Sequence, residues 1–278
     1  MRSIFLASLL LLGVAWTSPH EAAAAVTGDS ALTLTLTRLP EDAVARGPVF
    51  VEFAITNETL ETVEVNLGPG RKSAITLLIS KDGGLAKPFP SPVIQGLSRV
   101  GWVKIAGKQR YTSTLLVNEW IELQEAGTYG LEAVVAMQIR RNSSPMPLQA
   151  KSNSVVIVLA AYDITRLDAI CQRLRDRALT GNDTEIRLLA ALGLGSVTDP
   201  VAVPYLEQLL LQGRFGKQYA AEGLLKIRSA AAVSALIWGL RDPQGDTADL
   251  SRSALLRVQG TDASSEVKAL ATAALHAK

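Results

Sequence analysis

The stretch SVVIVLAAYDITRLDAICQRLRDRAL, residues 154–179, carries two periods in one line. Up to Leu159 it continues a strand pattern of period two. After the short link Ala160–Asp163, Leu167, Ile170, Leu174 and Ala178 recur at helical spacing and share one face. The change divides the chain. Residues 26–161 are expected to form a β domain and residues 162–278 a helical domain, with residues 1–25 outside both.

Working back from that switch, alternation recurs in LTLTLT (32–37), VFVEFAIT (49–56), TVEVNL (62–67), AITLLIS (74–80), RYTSTLLV (110–117) and TYGLEAVVAMQI (128–139). In the second of these Val49, Val51, Phe53 and Ile55 occupy one face. The clusters LGPGRK, SKDGG, IAGKQ and RNSSPMP separate the runs as turns. Short strands at this density, without a helical stretch, predict a sandwich or barrel. One motif narrows that. In EAGTYGL (125–131), Glu125, Gly127 and Tyr129 resemble the tyrosine corner of immunoglobulin-like domains. The resemblance implies an immunoglobulin-like β-sandwich in which Tyr129 returns its hydroxyl to upstream backbone. Leu131 stands where an antibody-type domain has its second cysteine, so the implied relatives are the cysteine-free sandwiches of exported bacterial proteins.

Working forward, helical signals run to the C-terminus, and they repeat. RLLAALGLGSVTDPVAVPYLEQLL (187–210), YAAEGLLKIRSAAAVSALIWGL (219–240) and SRSALLRVQGTDASSEVKALATAAL (251–275) align through Leu192, Leu225 and Leu256, then Leu194, Ile227 and Val258. Leu206, Leu236 and Leu270 align in the second helices. The first three leucines are 33 and 31 residues apart, a period of about 32. Two helices per period resemble short HEAT-like repeats of the kind found in phycobiliprotein lyases. That resemblance implies a short α-solenoid capped by the helix at 164–179. The expected fold is therefore multi-domain, all-β followed by all-α: an immunoglobulin-like sandwich and then a HEAT-like solenoid.

The first 25 residues have a different character. MRSIFLASLLLLGVAW has a cationic start at Arg2 and an apolar run from Ile4 to Trp16; Ala23 and Ala25 then offer a small-residue cleavage site before Val26. This is the pattern of a secretory signal peptide, too short to span a membrane. It predicts a periplasmic or secreted protein with no membrane insertion after cleavage. The charge balance, 28 basic against 26 acidic residues, offers no clustered basic patch for nucleic acid.

The catalytic inventory is thin. Beyond residue 25 one cysteine, Cys171, and one histidine, His276, remain. Neither a nucleophile–histidine relay nor a zinc site can be assembled from them alone, and the repeats hold no His-Glu pair. GPG (68–70) and DGG (82–84) lie between strands, not ahead of a helix, so they do not form phosphate loops. Glu119 and Glu122 flank Trp120 and offer a carboxylate pair for sugar chemistry. Packing of Trp120 and Ile121 into the β core is the competing reading. NET (57–59) fits the N-glycosylation pattern. These observations predict no catalytic residue, no cofactor and no metal.

One residue stands apart. Val233, Leu236, Ile237 and Leu240 form a stripe on the helix around 230–240, and Trp238 lies about 150° away from its centre. Its aligned neighbours, Gln208 and Thr272, are polar. Trp and Arg dominate binding hot spots. Trp238, Arg241 and Gln208 are therefore the expected anchors for a protein or peptide partner, in a non-catalytic scaffold protein. Packing of Trp238 between repeats or against the sandwich is the structural alternative. Two other functions remain open: protease inhibition through the loops LGPGRKS, SKDGGLAKPFPSP and RRNSSPMP, or a carbohydrate-active protein.

Overall fold

The computed structural model describes residues 31–39, 42–91, 101–141, 144–243 and 245–276; the expected signal peptide lies outside them. Ten strands come first. They are β1 (Leu32–Arg38), β2 (Phe50–Asn57), β3 (Val63–Asn66), β4 (Ile75–Lys81), β5 (Lys87–Pro90), β6 (Trp102–Ile105), β7 (Arg110–Leu116), β8 (Gly127–Arg141), β9 (Ser144–Lys151) and β10 (Val155–Leu159). Seven helices follow: α1 (Ile164–Thr180), α2 (Thr184–Gly195), α3 (Val203–Gln212), α4 (Lys217–Ile227), α5 (Ala230–Leu240), α6 (Gly245–Val258) and α7 (Ser265–His276). Among the described residues no helix is long and apolar enough to cross a membrane.

Two sheets share one interior. β1, β2 and β7 make a three-stranded antiparallel sheet; the remaining seven strands make the other. The larger sheet is organised by the fifteen-residue β8. Along one side β8 pairs with β4 and then β3, and along the other with β10 and then β9. Inward residues of both sheets, among them Leu34, Phe53, Ile55, Val65, Leu77, Leu131, Val135 and Ile157, form a single buried cluster. Trp120 is buried in it and its indole donates to the Ile75 carbonyl at 3.4 Å.

Among the described residues, β5 and β9 each pair with one neighbour only, β4 and β8 respectively. Each carries two prolines two residues apart, Pro88 and Pro90, and Pro145 and Pro147. That spacing puts both missing N–H groups on the same side of the strand, and prolines are tolerated on an edge strand, where they discourage a further strand. RNSSPMP was expected as a turn; its second half is instead the start of β9, for this reason.

The helices stand in two rows. α1, α3, α5 and α7 are successive neighbours, and so are α2, α4 and α6, with the rows packed on each other. Asp163 caps α1 by accepting from the Thr165 and Arg166 amides, and Asp183 caps α2 in the same way. The stripe Leu167, Ile170, Leu174 and Ala178 is buried, together with Cys171.

The helical core does not stop at the domain boundary. It includes Val44, Phe50 and Leu116 from the β region. Gly193 of α2 lies so close to Phe50 that a Cβ there would come within 2.5 Å of the ring. Around this seam Arg46 donates to Asp199 at 3.4 Å and lies over the Tyr162 ring, and Val44 pairs with Ala160 in an isolated bridge. Burying a phenylalanine side chain is worth roughly 1.5–3 kcal/mol, so the seam contributes to both parts.

These findings correct the expected fold class. Among the described residues, a β region of ten strands is followed by seven helices, not clearly an immunoglobulin-like sandwich joined to a HEAT-like solenoid. Tyr129 does donate to the Glu125 carbonyl at 3.0 Å, the upstream bond that the motif implied, but the sheets around it are not those of an immunoglobulin domain. An immunoglobulin domain divides seven to nine strands between two sheets of similar size, whereas three and seven strands arranged around one long β8 do not. Of the first aligned leucines, Leu225 is buried, Leu192 is half-buried and Leu256 is 57% exposed, so these three do not share one environment.

Candidate functional site

Ser229 caps α5, its hydroxyl accepting from the Ala232 amide at 3.2 Å. From that start α5 buries Ala232, Val233, Ala235, Leu236 and Gly239. The small residues bring it close to its neighbours; a Cβ on Gly239 would meet Leu210 of α3 and Ser251 of α6. Trp238 lies off this buried face and is 55% exposed. Arg241, one turn on, donates its amide to the Trp238 carbonyl at 3.0 Å. Its guanidinium carbon lies 5.1 Å from the centre of the indole ring, within the range of a cation–π contact. A cationic side chain is also favoured at the carboxyl end of a helix. Trp238 and Arg241 thus form a paired, solvent-facing unit.

Gln208 belongs to a different group. Its side-chain carbonyl accepts from Arg175 of α1. Arg175 also stacks 5.5 Å from the Tyr205 ring, and Tyr205 donates its hydroxyl to Asp168 at 2.7 Å. This network ties α1 to α3. Among the described residues no hydrogen bond or ring contact joins Gln208 to Trp238 or Arg241. Asp168, Arg175 and Tyr205 were not singled out from the sequence. Asp168 and Arg175 are seven apart on α1, two turns along one side, and this spacing was the available signal. The bond to Asp168, then burial, pushes the Tyr205 hydroxyl up to about 12, so it stays a donor.

Other candidate positions fall into place by burial. Burial, with Asp168 and Asp199 adding to it, pushes the Cys171 thiol up to about 12; a thiol held protonated is a poor nucleophile. His276 is exposed at the end of α7. Lys72 donates to both oxygens of Glu119, at 2.5 and 2.7 Å, while Glu122 accepts from Gln124 at 3.2 Å. With Trp120 buried between the sheets, its ring offers no platform for a sugar. Asn57 is fully buried, donating to the carbonyls of Glu61, Ile105 and Ala106, so NET is not an accessible glycosylation acceptor. Among the described residues no three His, Cys, Asp or Glu side chains lie together as metal ligands.

No protein family and no curated protein matches the sequence. Solved structures similar to it include the C-terminal domain of wzt, at 12% identity and TM-score 0.29 over 52% of this chain and 80% of that one. Another is Northeast Structural Genomics Consortium target SoR45, at 10% identity and TM-score 0.29 over 47% and 88%. A third is pT26-6p, at 10% identity and TM-score 0.28 over 90% of this chain and 52% of that one. Likeness at this level assigns neither a fold family nor an activity.

Proposed function

We propose that the protein is a non-catalytic, exported interaction protein that takes a protein or peptide partner on the helix surface carrying Trp238 and Arg241. The observation that supports this is the exposure of Trp238, 55%, on a helix that buries five smaller residues without it. Trp and Arg are among the residue types most enriched at the energetic centres of protein interfaces. The Arg175–Gln208–Tyr205–Asp168 network holds α1 against α3, the helix next to α5. In this reading Gln208 positions the surface and does not itself anchor the partner.

The test is Trp238→Ala and Arg241→Ala in the full chain, with the partner isolated on the wild-type protein. Each variant should keep the wild-type circular dichroism, and Trp238→Ala should weaken partner binding by about 30-fold or more, the effect of losing a hot spot. Undiminished binding by Trp238→Ala would reject the proposal. Export rests on residues 1–25; a mature protein starting near Val26 is the expected product of cleavage.

A further inference from the structure

A groove of about 730 Å³ lies on the outer face of the larger sheet, where the pairing of β8 passes from β4 to β3. The register explains how it forms. β3 ends at Asn66 and β4 begins at Ile75; the chain between them leaves the sheet through Gly68, at φ 74°, and Ala74 returns it by accepting from the Ala136 amide at 3.1 Å. Val65, Met137 and Ile139 point into the core, so Asn66, Ala136 and Gln138 point outward. Ala136 is a small floor residue between two walls: Gly68, Ser73 and Ala74 on one side, Pro147 and its own partner Gln149 on the other. Across the same face Trp102, Asn66, Gln138 and Pro147 stand in one row over β6, β3, β8 and β9.

The chemistry of this lining is uniform. Among the described residues it holds no charged side chain; its polar side chains are Asn66, Ser73, Gln138 and Gln149. Ser73, Gln138 and Gln149 make no side-chain hydrogen bond among the described residues, and Asn66 uses only its side-chain carbonyl, which accepts from the Gly68 amide at 3.0 Å. Amides and hydroxyls both donate and accept. A carboxylate or an ammonium group would meet partners of the wrong sense here, whereas a ligand built of hydroxyls, itself donor and acceptor, meets none. The charges of the next row are turned to one another: Glu64 is paired with Lys104 at 3.3 Å and with Arg140 at 3.9 Å. Arg140 also lies 3.9 Å from the centre of the Trp102 ring, which holds a partly exposed indole beside Asn66. An indole is an apolar plate with one polar edge, the counterpart of a pyranose ring. A peptide strand would instead seek a sheet edge for main-chain bonds, and the edge beside this groove, β9, carries Pro145 and Pro147.

We propose that this groove binds a segment of an uncharged polysaccharide, its hydroxyls bonded by Asn66, Ser73, Gln138 and Gln149 and one sugar ring packed on Trp102. The groove is open to solvent, which suits a chain lying along it better than an enclosed small molecule. The proposal is independent of the helix surface: it uses no residue beyond β9. An antiparallel sheet also turns polar residues to water on its outer face. That role predicts no ligand, which makes the two separable.

The probes are cellohexaose, maltohexaose, mannohexaose and chitohexaose, titrated into the full chain by calorimetry, with hexagalacturonate as a charged chain of the same length and a Ser/Asn hexapeptide as an uncharged one. At least one neutral hexasaccharide should bind saturably with a Kd below about 1 mM, and hexagalacturonate and the peptide at least about tenfold more weakly. Ala136→Phe should fill the floor and weaken that sugar by about tenfold or more. Ala136 is exposed and phenylalanine suits a strand, so the melting temperature should hold. Gln138→Ala should weaken the sugar by about threefold or more, the loss of one neutral hydrogen bond. Nitrogen-edited resonances give a second readout without any variant: the Trp102 indole and Gln138 side-chain amide should shift on addition of the sugar, and those of Trp238 and Gln208 should not. No saturable binding across the four sugars, equal or tighter binding of hexagalacturonate or the peptide, full affinity in Ala136→Phe, or shifts at Trp238 in place of Trp102 would each overturn the proposal.

Discussion

Replacing Gly193 with alanine tests the seam between strands and helices. In a helix, glycine to alanine ordinarily stabilises by roughly 0.5–1 kcal/mol, because the glycine backbone loses more freedom on folding. At Gly193 the new methyl carbon would lie 2.5 Å from Phe50 Cζ and 3.3 Å from Cε2. The ring is buried and in the helical core, so relief requires β2 or α2 to shift. Overpacking of this kind costs about 1–3 kcal/mol, and Gly193→Ala should be net destabilising. Phe50→Ala alone should cost about 3–5 kcal/mol. With the ring gone, Gly193→Ala should recover its ordinary sign. The double-mutant cycle should therefore show a coupling on the order of 2–4 kcal/mol. Urea denaturation followed at 222 nm and in the near ultraviolet measures it, provided the slope stays constant across the set. Additivity within about 0.5 kcal/mol, with Gly193→Ala stabilising in both backgrounds, would refute the shared core.

Other outcomes follow from burial and charge. Trp238→Ala should cost less than about 1 kcal/mol, while Leu236→Ala, two residues away and fully buried, should cost about 2–5 kcal/mol; thermal melts of the pair decide it. A Trp238→Ala loss as large as that of Leu236→Ala would mean the indole belongs to the core. Alkaline stability should fall as pH rises from about 9 towards 12. The Cys171 thiol, ordinarily near 9.0, and the Tyr205 hydroxyl, ordinarily near 10.0, are both raised to about 12 in the fold, so above those ordinary values the unfolded chain ionises first. Denaturation midpoints across that range measure the loss, and a flat profile would contradict it. By the same argument Cys171 should resist a thiol reagent at neutral pH until the chain is unfolded.

Strands with one apolar face were legible as alternation, and α1 as a four-residue stripe. Phe50 was not. In VFVEFAIT it falls on the face opposite Val49, Val51 and Phe53, the side expected to meet solvent. It is buried because helices from the other end of the chain cover that face. The run Val49–Phe50–Val51 is apolar on both faces, a sign of cover on both sides, but the sequence does not say by what. β5 and β9 were hidden by their prolines, which read as turns unless the strand is known to be an edge. The leucines chosen for the repeat alignment were not the core ones throughout: Leu255 and Leu256 are both leucine, and only Leu255 is buried. Trp238 was visible through its angle from the stripe. Its pairing with Arg241 follows from i, i+3 spacing, whereas the capture of Gln208 by Arg175 links two helices and leaves no local trace.

The most direct test of the interaction surface places a photo-crosslinking amino acid at position 238, with position 256 as the control. Leu256 is 57% exposed but sits on α6, in the other row of helices. Irradiation of the protein in its native host should give one discrete higher-mass adduct from position 238 and none from position 256. The adduct should fade when Arg241→Ala is added. Identical adduct patterns from both positions, or no adduct at 238 in folded protein, would contradict the assignment of this surface to a partner.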